Sequence, residues 1–169
     1  MPSRKRRNTK NAFLAVLFLV LLAAFLAKSY TANKIVHEFS NNTVELDGID
    51  MRYEPGPVLY FSRGCDGIKM GITNDQAFSI EEGLTKERFA RPLTHDLFFE
   101  TSGAFKVNLI YAKIDSITEG VYTAKLLFSD GYALREIDSR PSDMAALTLR
   151  FKNKFGISGD LVSNMTYIC

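Results

Sequence analysis

The chain has 169 residues, 46% hydrophobic and 24% charged. That is ordinary globular composition: enough for one domain plus an appendage, and too apolar for a disordered chain. The net charge of +2 conceals a segregation, because Arg4, Lys5, Arg6, Arg7 and Lys10 lie in the first ten residues while residues 11–169 hold 16 basic against 19 acidic residues, about −3. This argues against a broad basic surface for nucleic acid and leaves room only for a local basic groove.

Residues 1–10 read as a basic tail. Ala12 to Ala27 follows as an unbroken apolar run of 16 residues. At ~1.5 Å rise per residue it spans ~24 Å, short of a ~30 Å hydrocarbon core. Continuing through Lys28 to Ala32 gives 21 residues, with Lys28 able to snorkel and Tyr30 suited to the interface. Residues 11–32 are therefore expected to contact a lipid bilayer as one membrane-spanning helix. The positive-inside bias places the tail in the cytoplasm and residues 33–169 outside it, as a single domain. A cleaved signal peptide shares the charged head and short core, but Phe25-Leu-Ala27 and Tyr30-Thr-Ala32 both put an aromatic at the −3 place. That favours an uncleaved signal anchor. In an oxidising compartment Cys65 and Cys169 can pair, yet their spacing does not test this, and a frayed free thiol at Cys169 fits as well.

Lys34 to Ser40 reads as a short strand or linker, and Asn41-Asn42 as a turn. Thr43 to Tyr53 reads as a strand broken at Asp47-Gly48, and Glu54-Pro-Gly-Pro57 as a loop. Val58 to Ser62 and Ile68 to Thr73 read as a hairpin turned by Arg63-Gly-Cys-Asp-Gly67. Asn74 or Asp75 is expected to cap a helix to about Leu84, with Ala77, Ile80 and Leu84 on one face. After a polar link over 85–90, Pro92 suits the first turn of a second helix with a Leu93, Leu97, Phe98 and Thr101 stripe, closed by Gly103. Phe105 to Thr118, Val121 to Ser129 and Tyr132 to Asp138 are rich in Val, Ile, Tyr, Phe and Thr. With two-residue turns at Glu119-Gly120 and Asp130-Gly131, they predict a three-stranded meander. Pro141 opens a third helix, with Met144, Leu147, Phe151 and Phe155 on its apolar face and Gly156 ending it. The tail from Ile157 shows no clear pattern. Strands and helices are segregated rather than alternating. The predicted class is α+β, a mostly antiparallel sheet with two or three packed helices, preceded by one transmembrane helix.

Chemistry-bearing residues concentrate at two helix starts, Arg91-Pro-Leu-Thr-His-Asp96 and Asp138-Ser-Arg-Pro-Ser-Asp143. If both starts lie on the same side of a sheet, their free N–H groups form an anion site. Arg91 and Arg140 would add forked donors for phosphate, with Thr94 and Ser142 beside them. His95 is suited to act as general acid or base near neutral pH, with Asp96 and Asp143 as its acidic partners in catalysis. Asp96, Asp138 and Asp143 form a candidate carboxylate set for Mg2+ or Mn2+. Such a group suits phosphodiester hydrolysis. Each residue taken singly also fits a blander role: Asp143 as a helix cap, Arg140 as its ion-pair partner, Thr94 to Asp96 as a self-satisfied first turn.

These residues resemble the bifunctional nuclease family over about Ile68 to Val162. Arg91-Pro-Leu-Thr-His-Asp-Leu97 is similar to its R-P-x-T-H-D-L signature. Asp138-Ser-Arg-Pro-Ser-Asp143, with the Ala/Leu-rich stretch to Arg150, is similar to D-x-R-P-S-D-A-x-A-L-A-L-R. The resemblance implies DNase and RNase activity on nucleic acid in a compact α+β domain that associates as a homo-oligomer. Where members carry Ile-Gly-x-x-Glu-Ala, this chain reads Ile72-Thr-Asn-Asp-Gln-Ala77; Gln76 replaces the acid, and Asp75 is its nearest substitute. The competing expectation is a non-catalytic homo-oligomeric module of an envelope assembly, in which the same arginines and aspartates serve the fold or an interface.

Overall fold

The computed structural model describes residues 3–87 and 91–169, with side chains from Asn11 onward. The basic side chains of the tail, and residues 88–90 of the expected polar link, lie outside the described residues. The chain divides into an N-terminal helical unit ending at Phe39 and a compact unit, Ser40–Cys169.

Helix α1 (Ser3–Ser40) contains a stretch, Asn11–Ser40, long and apolar enough to cross a membrane. The strand or linker expected over Lys34 to Ser40 is instead helical. No Pro or Gly interrupts it, and Lys34 and Glu38 pair one turn apart at 3.6 Å. The break comes at Asn42, which takes a left-handed φ of 52°.

The compact unit is α+β with two sheets. The first holds β1 (Thr43–Leu46), β5 (Asn108–Thr118), β6 (Val121–Ser129), β7 (Leu134–Ser139) and β8 (Phe155–Ser158), in the order β1-β8-β5-β6-β7. The second holds β2 (Gly48–Tyr53), β3 (Pro57–Arg63), β4 (Asp66–Gly71) and β9 (Thr166–Tyr167), in that order. The pairings are antiparallel except β5 with β8. The break at Asp47 thus sends one extended segment into both sheets. The expected meander is β5-β6-β7. Glu119 and Gly120, at φ 52° and 80°, make its first turn, where both residues need positive φ. The second turn is wider than expected. It spans residues 130–133 because the Asp130 carboxylate accepts from the Tyr132 and Ala133 N–H groups, both at 2.7 Å.

Three helices complete the unit: α2 (Asn74–Thr85), α3 (Thr94–Ala104) and α4 (Pro141–Phe151). Helix α4 packs on β5 and β6 and touches both α2 and α3. Its Met144, Ala145, Ala146 and Leu147 are buried with Ile114, Leu126 and Phe128 of the sheet. Gly83 sets how close α2 comes: a methyl group there would stand 2.9 Å from Leu149 Cβ. Helix α4 also stops earlier than its sequence suggests. Lys152 adopts φ 55° after Phe151, and Phe155, expected on the helix face, starts β8 instead. Asn153 helps set this exit by donating to the Leu109 carbonyl. Strand β8 then runs parallel to β5, with Ala112 opposite Phe155 and Ile114 opposite Ile157.

Helix α3 departs most from expectation. It begins at Thr94, so Pro92 lies outside it, and Leu93 is the cap. The Asp96 carboxylate accepts the Leu93 N–H at 2.9 Å and so fixes the turn one residue beyond the proline. The predicted stripe is not the buried one: Leu97 is 59% exposed, whereas Asp96 and Ser102 are buried. A polar interaction, described below, turns the helix.

The cysteines are paired. A Cys65–Cys169 disulfide closes 104 residues of sequence and fastens β9 to the β3–β4 hairpin, where Ile168 N–H also donates to the Cys65 carbonyl at 2.9 Å. Cys169→Ser should lower the stability of the full-length protein in detergent by about 2–5 kcal/mol. Urea unfolding with and without reductant checks this, and reductant should have no further effect on the variant.

Candidate active site

The starts of α3 and α4 do come together. His95, in the first turn of α3, places Nε2 3.4 Å from Asp143 Oδ1 in the first turn of α4. Asp143 is in turn held by Arg140, whose Nε and Nη2 donate to its two oxygens at 2.8 and 3.0 Å. On the other side of the ring, His95 Nδ1 lies 2.8 Å from Ser79 Oγ on α2. The result is a polar chain, Ser79–His95–Asp143–Arg140, that crosses three helices. It runs from a buried serine to an arginine that is 69% exposed. Burial disfavours the charged imidazole and lowers the His95 pKa below its usual value. Asp143 opposes this, and Arg150 adds to it.

Pro141 occupies the first position of α4, where an N–H has no helical acceptor in any case. The N–H groups of Ser142 and Asp143 likewise lie in the first turn. In front of them is a pocket of about 420 Å³ lined by Arg140, Ser142, Gln76 and Lys69. Since Gln76 and Ser142 share this pocket, α2 and α4 begin at the same end. Arg140 (paired with Asp143), Lys69 (paired with Glu54 at 3.4 Å) and a helix start give it the character of an anion site.

Gln76 and Thr73 are the two departures from the expected acid-bearing step, and they bond each other. Thr73 Oγ1 accepts from the Gln76 N–H at 3.3 Å, and Gln76 Oε1 accepts from the Thr73 N–H at 2.8 Å. This capping box, not Asn74 or Asp75, starts α2. Asp75 is exposed and lines neither described pocket, so it does not stand in for the missing acid.

Asp96 takes a different place from the one its neighbour His95 suggests. It is 5% exposed, and its second oxygen accepts from Arg150 Nε at 2.6 Å. Arg150, near the end of α4, also donates through Nη2 to Glu82 Oε2 at 2.9 Å. Through Nη1 it donates to the Ser79 and Ala146 carbonyls at 3.0 and 2.9 Å. Burial alone would raise the Asp96 pKa. The hydrogen bonds with Arg150, the Leu93 N–H and Glu82 outweigh it, and the net direction is down. Asp96 is thus a buried clamp that does not line the anion pocket.

The candidate metal set is not assembled. Among the described residues, no three His, Cys, Asp or Glu side chains stand together in a way that could hold a metal ion. Asp96 is committed to Leu93 and Arg150, Asp143 to Arg140 and His95, and Asp138 lies exposed on the edge strand β7. The residues therefore do not fit a Mg2+ or Mn2+ cage of these three carboxylates. Of the phosphate-binding candidates, Arg140 and Ser142 line the anion pocket; Arg91 and Thr94 are exposed and do not. Ser79, Glu82 and Arg150 were not among the sequence candidates. Gln76, Ser79 and Glu82 recur every three residues along α2, a spacing that puts them on one helical face.

Removing either partner of the Arg150 cluster leaves a buried charge uncompensated. Arg150→Met should therefore cost about 3–5 kcal/mol, measured by urea unfolding. The Asp96 part of this stabilisation has a definite pH sign. Its folded pKa is depressed, so the contribution is full above the ordinary carboxylate range and is lost as pH falls through the folded value.

No curated protein matches the sequence. The bifunctional nuclease domain matches residues 58–167. That span runs from β3 to β9 and includes α2, α3, α4 and both helix starts. The chain belongs to the bifunctional nuclease domain family.

Proposed function

We propose that the protein is a membrane-anchored nuclease that hydrolyses phosphodiester bonds of DNA or RNA at the paired starts of α3 and α4. The observation that carries this reading is the Ser79–His95–Asp143–Arg140 chain beside the anion pocket, in a chain of this family. A backbone phosphate enters at Arg140, Lys69 and the first turn of α4. Ser79 engages His95 Nδ1 at 2.8 Å, which in this reading leaves Nε2, 3.4 Å from Asp143, for the substrate. This requires the tautomer in which Nδ1–H donates to Ser79 and Nε2 carries the lone pair. It takes the proton of the attacking hydroxyl as the new P–O bond forms and returns it to the leaving oxygen as the old bond breaks. Asp143 stabilises the imidazolium in between.

The anchor in this reading is α1, with the N-terminus cytoplasmic and the domain outside. The Cys65–Cys169 disulfide supports an oxidising location. Added protease should degrade residues 40–169 on cells whose outer face is exposed and leave the N-terminal tail; protection of the domain would reverse the topology. The alternative, a non-catalytic homo-oligomeric module, draws on one observation: Leu97 and Phe98 of α3 are exposed apolar side chains. On that reading Leu97→Asp dissociates an assembly and no nuclease activity is found.

For the catalytic reading, full-length protein in detergent should cleave single-stranded DNA or RNA, and His95→Ala should reduce the rate by about 10²–10⁴-fold. Activity should fall as pH drops through a pKa below 6.5, because the acid form of His95 cannot accept a proton. Asp143→Asn removes an interaction that raises that pKa, so the acid limb should move to lower pH. Cleavage equal to that of His95→Ala under Mg2+, Mn2+ and chelator alike would sink the proposal.

A further inference from the structure

A second pocket, of about 540 Å³, lies between the ends of α2 and α4 and the inner face of α3. None of Ser79, His95, Arg140 or Asp143 lines it. Its size is in the ordinary range for a small-molecule site. At the polar end are Arg150, Asp96 and Glu82, with side chains 6%, 6% and 3% exposed. Phe99, Val107, Leu149 and Phe151 supply apolar wall, and Lys86 and Lys152 add two cations.

The polar end is not saturated. Arg150 has five N–H groups. Four are used, by Asp96, Glu82 and the Ser79 and Ala146 carbonyls; one on Nη2 has no partner among the described residues. An ionised carboxylate offers about four lone-pair sites, so Asp96, hydrogen-bonded to Leu93, Arg150 and Glu82, keeps one for a further donor. A buried donor thus stands beside a buried acceptor in an aromatic-walled cavity. A planar ring with an acceptor next to a donor on one edge fits that end and can lie against Phe99 or Phe151. A negatively charged group elsewhere on the same ligand fits Lys86 and Lys152, which line the same pocket.

We infer that this pocket binds a purine nucleoside monophosphate, with the base edge on Arg150 and Asp96 and the phosphate at Lys86 and Lys152. Guanine fits: its O6 accepts from the remaining Arg150 N–H while the adjacent N1–H donates to Asp96. A fatty acid carries the anion and the apolar body but leaves the Arg150 N–H and the Asp96 oxygens without partners. The inference goes beyond the nuclease reading and does not depend on cleavage.

The test is calorimetric titration of GMP into the full-length protein in detergent. Saturable binding of one GMP per chain is expected. A Lys86→Ala, Lys152→Ala double variant should weaken it at least ~10-fold, a loss of ~1.4 kcal/mol. Gly103→Phe should abolish binding, because a methyl at this pocket-lining position meets nothing within 4 Å and a ring there grows into open space. His95→Ala should bind GMP unchanged, which separates this site from the proposed cleavage site. The inference falls if GMP shows no saturable binding, if the lysine pair can be removed without loss, or if decanoate displaces GMP at equal concentration.

Discussion

The arrangement of the three helices rests on one buried guanidinium. Arg150 of α4 reaches Asp96 of α3 and Glu82 of α2, and it also closes the carbonyls of Ser79 and Ala146. A charge this deep is tolerated only when it is paired and most of its hydrogen bonds are met, so the three helices can approach in few ways. The approach is close at Gly83, where α2 meets Leu149 with no room for a side chain. The same cluster sets the rotation of α3. Asp96 must face inward, so Leu97 turns toward solvent and Phe98 stays only partly covered, its ring edge-on to Phe128, although their spacing reads as a core stripe.

That constraint also builds the candidate active site. With Asp96 buried, the preceding residue, His95, is carried to the seam between α2 and α4. Ser79 holds one ring nitrogen there and Asp143 faces the other. Arg150 contributes electrostatically as well, depressing the His95 pKa alongside burial. The two arginines of the second signature region therefore divide the work. Arg150 fixes the helices from inside, and Arg140, at the exposed end of the polar chain, faces the anion pocket. The capping box of Thr73 and Gln76 places α2's start beside that pocket without an acid, so the proposed chemistry is carried by a histidine and arginines.

The sequence by itself determined the α+β class, the long apolar N-terminal helix, the meander, and the pairing of two helix starts that marks the family. Each is a local signal: an apolar run of fixed length, alternation of β-branched and aromatic residues, a proline at a helix start, two short motifs in order. Only the tertiary structure decided the roles within those motifs. Asp96 and His95 are neighbours in sequence, yet one is a buried clamp and the other a partly exposed imidazole between Ser79 and Asp143, because successive helical positions differ by about 100° and face different partners. Strand β8 was hidden for a related reason. Its four residues carry too little pattern to be read, and they become a strand because β1 and β5 leave a place between them. Pairing of Cys65 with Cys169 required β9 to reach the β3–β4 hairpin, and the gathering of Glu82, Asp96 and Arg150 required three separate helices to pack. Spacing along a chain carries no information about such distances; the burial of a charge and the hydrogen bonds it demands supplied it.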